Sequence, residues 1–173
     1  MSTRGVIAVT HGDSWLGVYL GSDAYPSWSG TRLWKVFSQQ YGGDLALFER
    51  EVIRTHPGGY HSADDQCYCH DPADPRPTDA AFYTPEDEDF EALHIEWLYI
   101  FGRHALTIYT SVRALGYHTC TRDDGYSWQS PNYRWALVTQ VALAGAEPDW
   151  QAIEALGETR RDEAEAAQAP SQE

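Results

Sequence analysis

Two short stretches hold the densest group of metal-ligating side chains, His56-Pro57-Gly58-Gly59-Tyr60-His61 and Cys67-Tyr68-Cys69-His70. Thiolate and imidazole are the donors that zinc takes, four at a time and in a tetrahedron. His61, Cys67, Cys69 and His70 would supply four such donors from one loop. A metal there would also give a Pro-rich segment a defined course. Against it stands the spacing: paired cysteine ligands usually lie about two to four residues apart, and this pattern lacks a second, distant pair. Cysteine also serves as a small buried hydrophobe. No cofactor is therefore expected, and zinc is the metal the pattern would take. A cysteine nucleophile needs a neighbouring base. His70 follows Cys69 directly, and adjacent side chains in an extended chain point apart.

Other polar and aromatic residues are spaced for binding more than for reaction. Asp23, Tyr25 and Trp28 fall between Gly21 and Gly30, in a segment that reads as a loop with large side chains. They are candidate ligand-binding residues. His94 and Glu96 share a face at period two and could form a polar row. His11-Gly12-Asp13 reads as a turn. The chain has no phosphate-cradling glycine loop, no G-x-S-x-G, no H-E-x-x-H and no dinucleotide fingerprint. No catalytic constellation is complete, so the reading leans away from an enzyme.

Charge and cysteine usage narrow the partners. The formal charge of −14 argues against a grip on nucleic-acid backbone, which requires displacing counterions with Lys and Arg. It equally disfavours an anionic membrane surface. No apolar run reaches the roughly 20 residues that span a bilayer. An odd cysteine count and no secretory leader lead to an expectation of free thiols and a cytoplasmic location. The expected partner is a protein or small-molecule ligand, with a basic protein matching the charge.

The elements that position these residues follow from periodicity. Leu93 to Phe101 and Ala105 to Val112 are rich in aromatic and β-branched residues and flank Gly102-Arg103-His104, which predicts a central β-hairpin. Leu93, Ile95, Trp97, Tyr99 and Phe101 should share one face. Gly5–Thr10 and Trp15–Leu20 predict a first hairpin. Ser29 is placed to cap a helix over about 31–41, with Leu33, Phe37 and Tyr41 as its core stripe. Asp44 caps a second helix ending near Pro57. His118 to Asn132 reads as a polar connection. Arg134 to Leu143 predicts a strand with Trp135, Leu137, Val141 and Leu143 on one face. Asp149 opens a last helix docked by Trp150, Ile153 and Leu156.

The predicted fold is α+β: an antiparallel sheet built from local hairpins, with helices mainly on one face. One domain over 1–157 is expected. It carries an irregular, acidic, Pro-rich loop at about 57–92, where ten carboxylates lie between Asp64 and Glu91 against one arginine, Arg76. A frayed or disordered acidic tail is expected over 158–173.

Two resemblances add to this. Thr3-Arg4-Gly5, Asp23-Ala24-Tyr25-Pro26, Cys67-Tyr68-Cys69-His70 and Glu147-Pro148-Asp149-Trp150 together resemble an uncharacterised family of small proteins from actinobacteria and their phages. That likeness implies context, a mobile element, and no mechanism. The first 30 residues also look like the start of N-terminal-nucleophile amidotransferases, in which the terminal amino group serves as base for the first side chain. This would make Ser2, Thr3 and Arg4 the catalytic candidates and the protein an amide hydrolase or transferase. Thr3 matches the nucleophile, yet Ser2 precedes it. The leading expectation is a binding domain that uses the aromatic loop at Tyr25 and Trp28 and the acidic loop. A zinc-stabilised module is the third reading.

Overall fold

A computed structural model describes residues 3–63, 67–70, 83, 94–121 and 125–167, without the side chains of His70 and His118. Ser2, Leu93, most of the acidic loop and the end of the tail lie outside the described residues.

Among the described residues five strands form one sheet. They are β1 (Arg4–His11), β2 (Ser14–Leu20), β3 (Ile95–Phe101), β4 (Ala105–Thr121) and β5 (Ser127–Ala142), in the order β2-β1-β3-β4-β5. Three neighbouring pairs are antiparallel, but β1 and β3 run parallel. The sheet is therefore mixed and mostly antiparallel, which corrects the expectation of a wholly antiparallel one. The physical reason is the long excursion between β2 and β3: it carries the chain back across before β3 pairs with β1, as parallel pairing requires.

Among the described residues of that excursion lie two helical regions and a single helical turn at Tyr68–His70. The first, α1, runs without a break through Pro26–Gly30, Thr31–Lys35 and Val36–Gln40, alternating between wide and ordinary helical turns. It starts five residues before the predicted position. Proline at the first helical position is preorganised for a helix start, and Tyr25 takes the cap position in extended conformation. Ser29 is not the cap. It lies inside the helix, fully buried, and donates to the Asp23 carbonyl at 2.6 Å. The second, α2, comprises Leu45–Phe48 and Glu49–Arg54, and the Asp44 carboxylate accepts from Leu47 N at 3.0 Å as capping predicts. The last helix, α3, is Trp150–Ala166, with Asp149 accepting from Gln151 N and Ala152 N. It does not stop at Gly157, so the expected boundary between domain and tail moves to the helix end at Ala166. Trp150 and Ile153 dock as predicted; Leu156 stays 39% exposed.

The main core lies between the sheet and these helices. Ile7, Val9, Val18, Trp97, Tyr99, Phe101, Leu106 and Ile108 meet Leu33, Trp34, Phe37, Phe48, Ile53 and Trp150. Phe37, Phe48 and Phe101 form an aromatic triad with centroids 4.5–5.4 Å apart, within the range where ring pairs add to their area burial. A second cluster covers the opposite face: Val6, Ala8, Trp15, Tyr19, Ile95, Leu98 and Ile100 pack with Tyr68, Tyr83, Tyr109 and Trp135.

Two register shifts break the expected period-two faces. Arg4 pairs with Ile95 but Gly5 with Trp97, so Glu96 is an extra residue in β3. Ile95 consequently joins the second cluster while Trp97, Tyr99 and Phe101 join the first. In β5, Ile108 pairs with Thr139 and Tyr109 with Leu137, leaving Val138 extra. Val138 is buried in the main core, whereas Leu137 is 48% exposed. A bulge inserts one residue and re-aims those that follow.

Candidate functional site

The outer edge of β2 positions the cysteine-bearing limb. Tyr60 N donates to Tyr19 O, and Gly21 N donates to Tyr60 O, both at 2.8 Å. Tyr60 in turn bridges antiparallel to Cys67, and Tyr68 N donates to Gly59 O at 3.0 Å. The chain thus leaves α2, turns through Pro57-Gly58-Gly59, and receives the Cys67–Cys69 limb beside it. Gly59 has φ +77, and a Cβ there would lie 2.2 Å from Tyr19 O. Only glycine allows both the turn and the close approach.

This clasp brings His56, Cys67 and Cys69 together. One ligand atom from each lies within 4.8 Å of the others. Cys67 is buried, and His56 and Cys69 are half-buried. Gly58 N donates to Cys69 Sγ at 3.4 Å, and no disulfide joins the three cysteines. Of the four predicted ligands, the structure unites Cys67 and Cys69. His61 points elsewhere: its ring lies on that of Tyr68, centroids 3.7 Å apart. The His70 side chain is outside the described residues. Sequence reading placed His56 in the cluster but left it out of the four ligands, although the intervening Pro-Gly-Gly turn was the signal that the chain doubles back.

The aromatic candidates belong to a helix start. Trp28 is half-buried in α1, and the Arg32 guanidinium carbon stands 3.3 Å from its ring centroid. One turn of helix separates the two, so the cation covers the ring face. Tyr25 is half-buried, and its carbonyl accepts from Trp28 N and Ser29 N. Asp23 adopts the left-handed conformation, φ 54, which short polar side chains tolerate. These residues shape the entry to α1 more than they frame an open mouth.

At the amino end, Thr3 O accepts from Ala24 N at 3.1 Å and Arg4 opens β1; Ser2 lies outside the described residues. The polar row expected from His94 and Glu96 does not form. Arg161 of α3 takes Glu96 instead, with Nη1 to Oε2 and Nη2 to the Glu96 carbonyl, both 3.3 Å. Thr110 Oγ1 also donates to that carbonyl, and Arg161 Nε donates to Thr110 Oγ1. Glu96 is the bulged residue, so this cluster satisfies a carbonyl that the sheet ladder leaves over.

A third place was unmarked in the sequence. β4 pairs with β3 only over Leu106–Thr110, yet β4 and β5 remain paired out to Thr121 and Ser127. The expected polar connection from His118 to Asn132 is mostly a two-stranded arm. Between the pairs Arg113–Tyr133 and Tyr117–Pro131 the register shifts, with residues 114–116 opposite Asn132. Asn132 Nδ2 donates to Leu115 O at 3.1 Å. The bulge is thereby held, and it presents Leu115 at 78% exposure, beside Tyr117 at 60% and near a tip where Tyr126 is 63% exposed. Cys120 and Ser130 are buried, so one arm face is covered. The other face carries the cross-strand pairs Thr119–Gln129 and Thr121–Ser127.

No helix among the described residues is long and apolar enough to cross a membrane. No family model matches the chain, and neither a curated protein nor a solved structure matches it. These comparisons bear on neither of the two resemblances drawn from the sequence.

Proposed function

We propose that the protein is a recognition module, and that the β4–β5 arm is the surface with which it holds a protein partner. The observation that carries this reading is the outward presentation of Leu115 by a bulge whose carbonyl is tied down by Asn132. A bulge held by its own side-chain bond is a designed feature that re-aims a residue. An exposed apolar side chain held this way adds apolar area beside Tyr117, a residue type enriched at interface centres. This reading favours the arm over the aromatic segment at Tyr25 and Trp28, where Arg32 lies over the indole face.

The sheet edges support the same reading. Tyr60 and Tyr83 both pair with β2, so that edge of the sheet is blocked. Among the described residues no strand pairs with the outer side of β5 at the opposite edge, and strand addition is a common mode of partner binding. Its charge selects the partner: at −14, a second copy is repelled and a basic protein is attracted.

Size-exclusion chromatography of the tagged protein, in an extract of the cells that make it, tests this. The wild type should elute in a complex larger than its own 19.5 kDa. The double variant Leu115→Ser, Tyr117→Ser should elute alone. Both side chains are exposed, so stability should change by only about 0.5 kcal/mol. Identical elution of the two proteins contradicts the proposal.

A further inference from the structure

We propose that His56, Cys67 and Cys69 form a zinc site. The three come from two limbs that the fold holds side by side, and each offers a soft or borderline donor of the kind zinc prefers. Tetrahedral zinc, with bonds of about 2.0–2.3 Å, separates its ligand atoms by about 3.4–3.8 Å. The observed limit of 4.8 Å is about 1 Å wider, a gap that side-chain rotation closes without moving the backbone. The Gly58 N–H aimed at Cys69 Sγ is a second, independent observation. A backbone donor to a sulfur supports a metal-bound thiolate, as outer-shell donors do in metal sites.

The surroundings show what the site does. The limb after α2 is tied to β2 through Tyr60, and the Cys67–Cys69 limb is tied to it in turn by Tyr68 N and the Tyr60–Cys67 bridge; Tyr68 also stacks on Tyr19 in the second core cluster. Zinc across His56, Cys67 and Cys69 therefore staples the limb after α2 to the limb that leads into the acidic excursion. Coordination takes both cysteines as thiolates, and the two protons leave to solvent. Three protein ligands leave one tetrahedral position, which falls to water or to a further side chain. The role is structural: the site locks the two limbs to each other.

The full chain, purified under reducing conditions without added metal, should carry about one zinc per chain by elemental analysis. After metal removal, titration with cobalt(II) should give an ultraviolet thiolate-to-cobalt charge-transfer band and the intense visible absorption of tetrahedral cobalt. Cys67→Ser, Cys69→Ser and His56→Ala should each weaken metal binding by at least about 10–100-fold. His61→Ala and Cys120→Ser should bind as the wild type does. The wild-type cobalt spectrum decides the matter even if a ligand variant fails to fold. No thiolate band on cobalt addition overturns the site. So does a zinc content near zero after dialysis against excess zinc, or binding that is lost with His61→Ala and kept with His56→Ala.

Discussion

At the scale of single residues, Tyr99 shows most clearly how the core constrains chemistry. Its ring is wholly buried and its hydroxyl donates to Ala24 O at 2.6 Å, tying β3 to the entry of α1. Burial, and next the Glu154 carboxylate, hold its pKa well above the ordinary value, with Arg161 pulling weakly the other way. A phenol that resists ionisation when folded but ionises near pH 10 when unfolded stabilises the fold fully below that pH. It loses this contribution as pH rises above about 10 toward the folded pKa. Tyr99→Phe removes this linkage. Its melting temperature should be lower than the wild type's near neutrality, by the equivalent of about 1 kcal/mol, and the two should converge above pH 10. Thermal melts from pH 7 to 11 read this directly. Parallel pH profiles would show that the hydroxyl does not carry the linkage.

At the scale of elements, the joint between α3 and the sheet is set by a missing side chain. A Cβ on Gly157 would lie 2.2 Å from Cη2 of Trp97, and Arg161 one turn later covers the same indole at 4.8 Å. Alanine in a helix interior normally gains about 1 kcal/mol over glycine. Here the clash with a buried ring should win, because overpacking costs about 1–3 kcal/mol. Gly157→Ala should therefore lower the urea midpoint, and a raised midpoint would show that α3 does not sit on Trp97. This contact also explains what the sequence concealed. Glycine near a helix end is ordinarily a stop signal, and nothing local to Gly157 reveals that Trp97 lies 60 residues away in the chain and against it in space. The hairpins, the Asp44 and Asp149 caps and the docking of Trp150 and Ile153 were legible, since each depends on neighbours in sequence. The faces of β3 and β5 were not, because one extra residue at Glu96 and at Val138 shifts the alternation. Nor was the arm: its strands set Tyr117, Thr119, Thr121 and Trp128 among polar residues, and polarity reads as loop although those four favour strands. The His56–Cys67–Cys69 group was half legible. The two cysteines lie two positions apart in sequence, whereas His56 joins them only through the Gly59 turn.

At the scale of the whole molecule, the sheet order separates two tasks. The β2 edge is occupied by Tyr60 and Tyr83 and carries the His56–Cys67–Cys69 group. The β5 edge, with three strands in between, carries the bulged arm with Leu115, Tyr117 and Tyr126. One edge is closed by Tyr60 and Tyr83, and the proposed recognition surface lies at the other. The most direct test of that division is photo-crosslinking in the cells that make the protein, with a photoreactive amino acid at position 115 or, as control, at exposed position 151 on α3. Position 115 should trap one discrete basic protein, and position 151 should trap none. Equal labelling from both positions, or an adduct of the chain with itself alone, would contradict the arm's role in recognition.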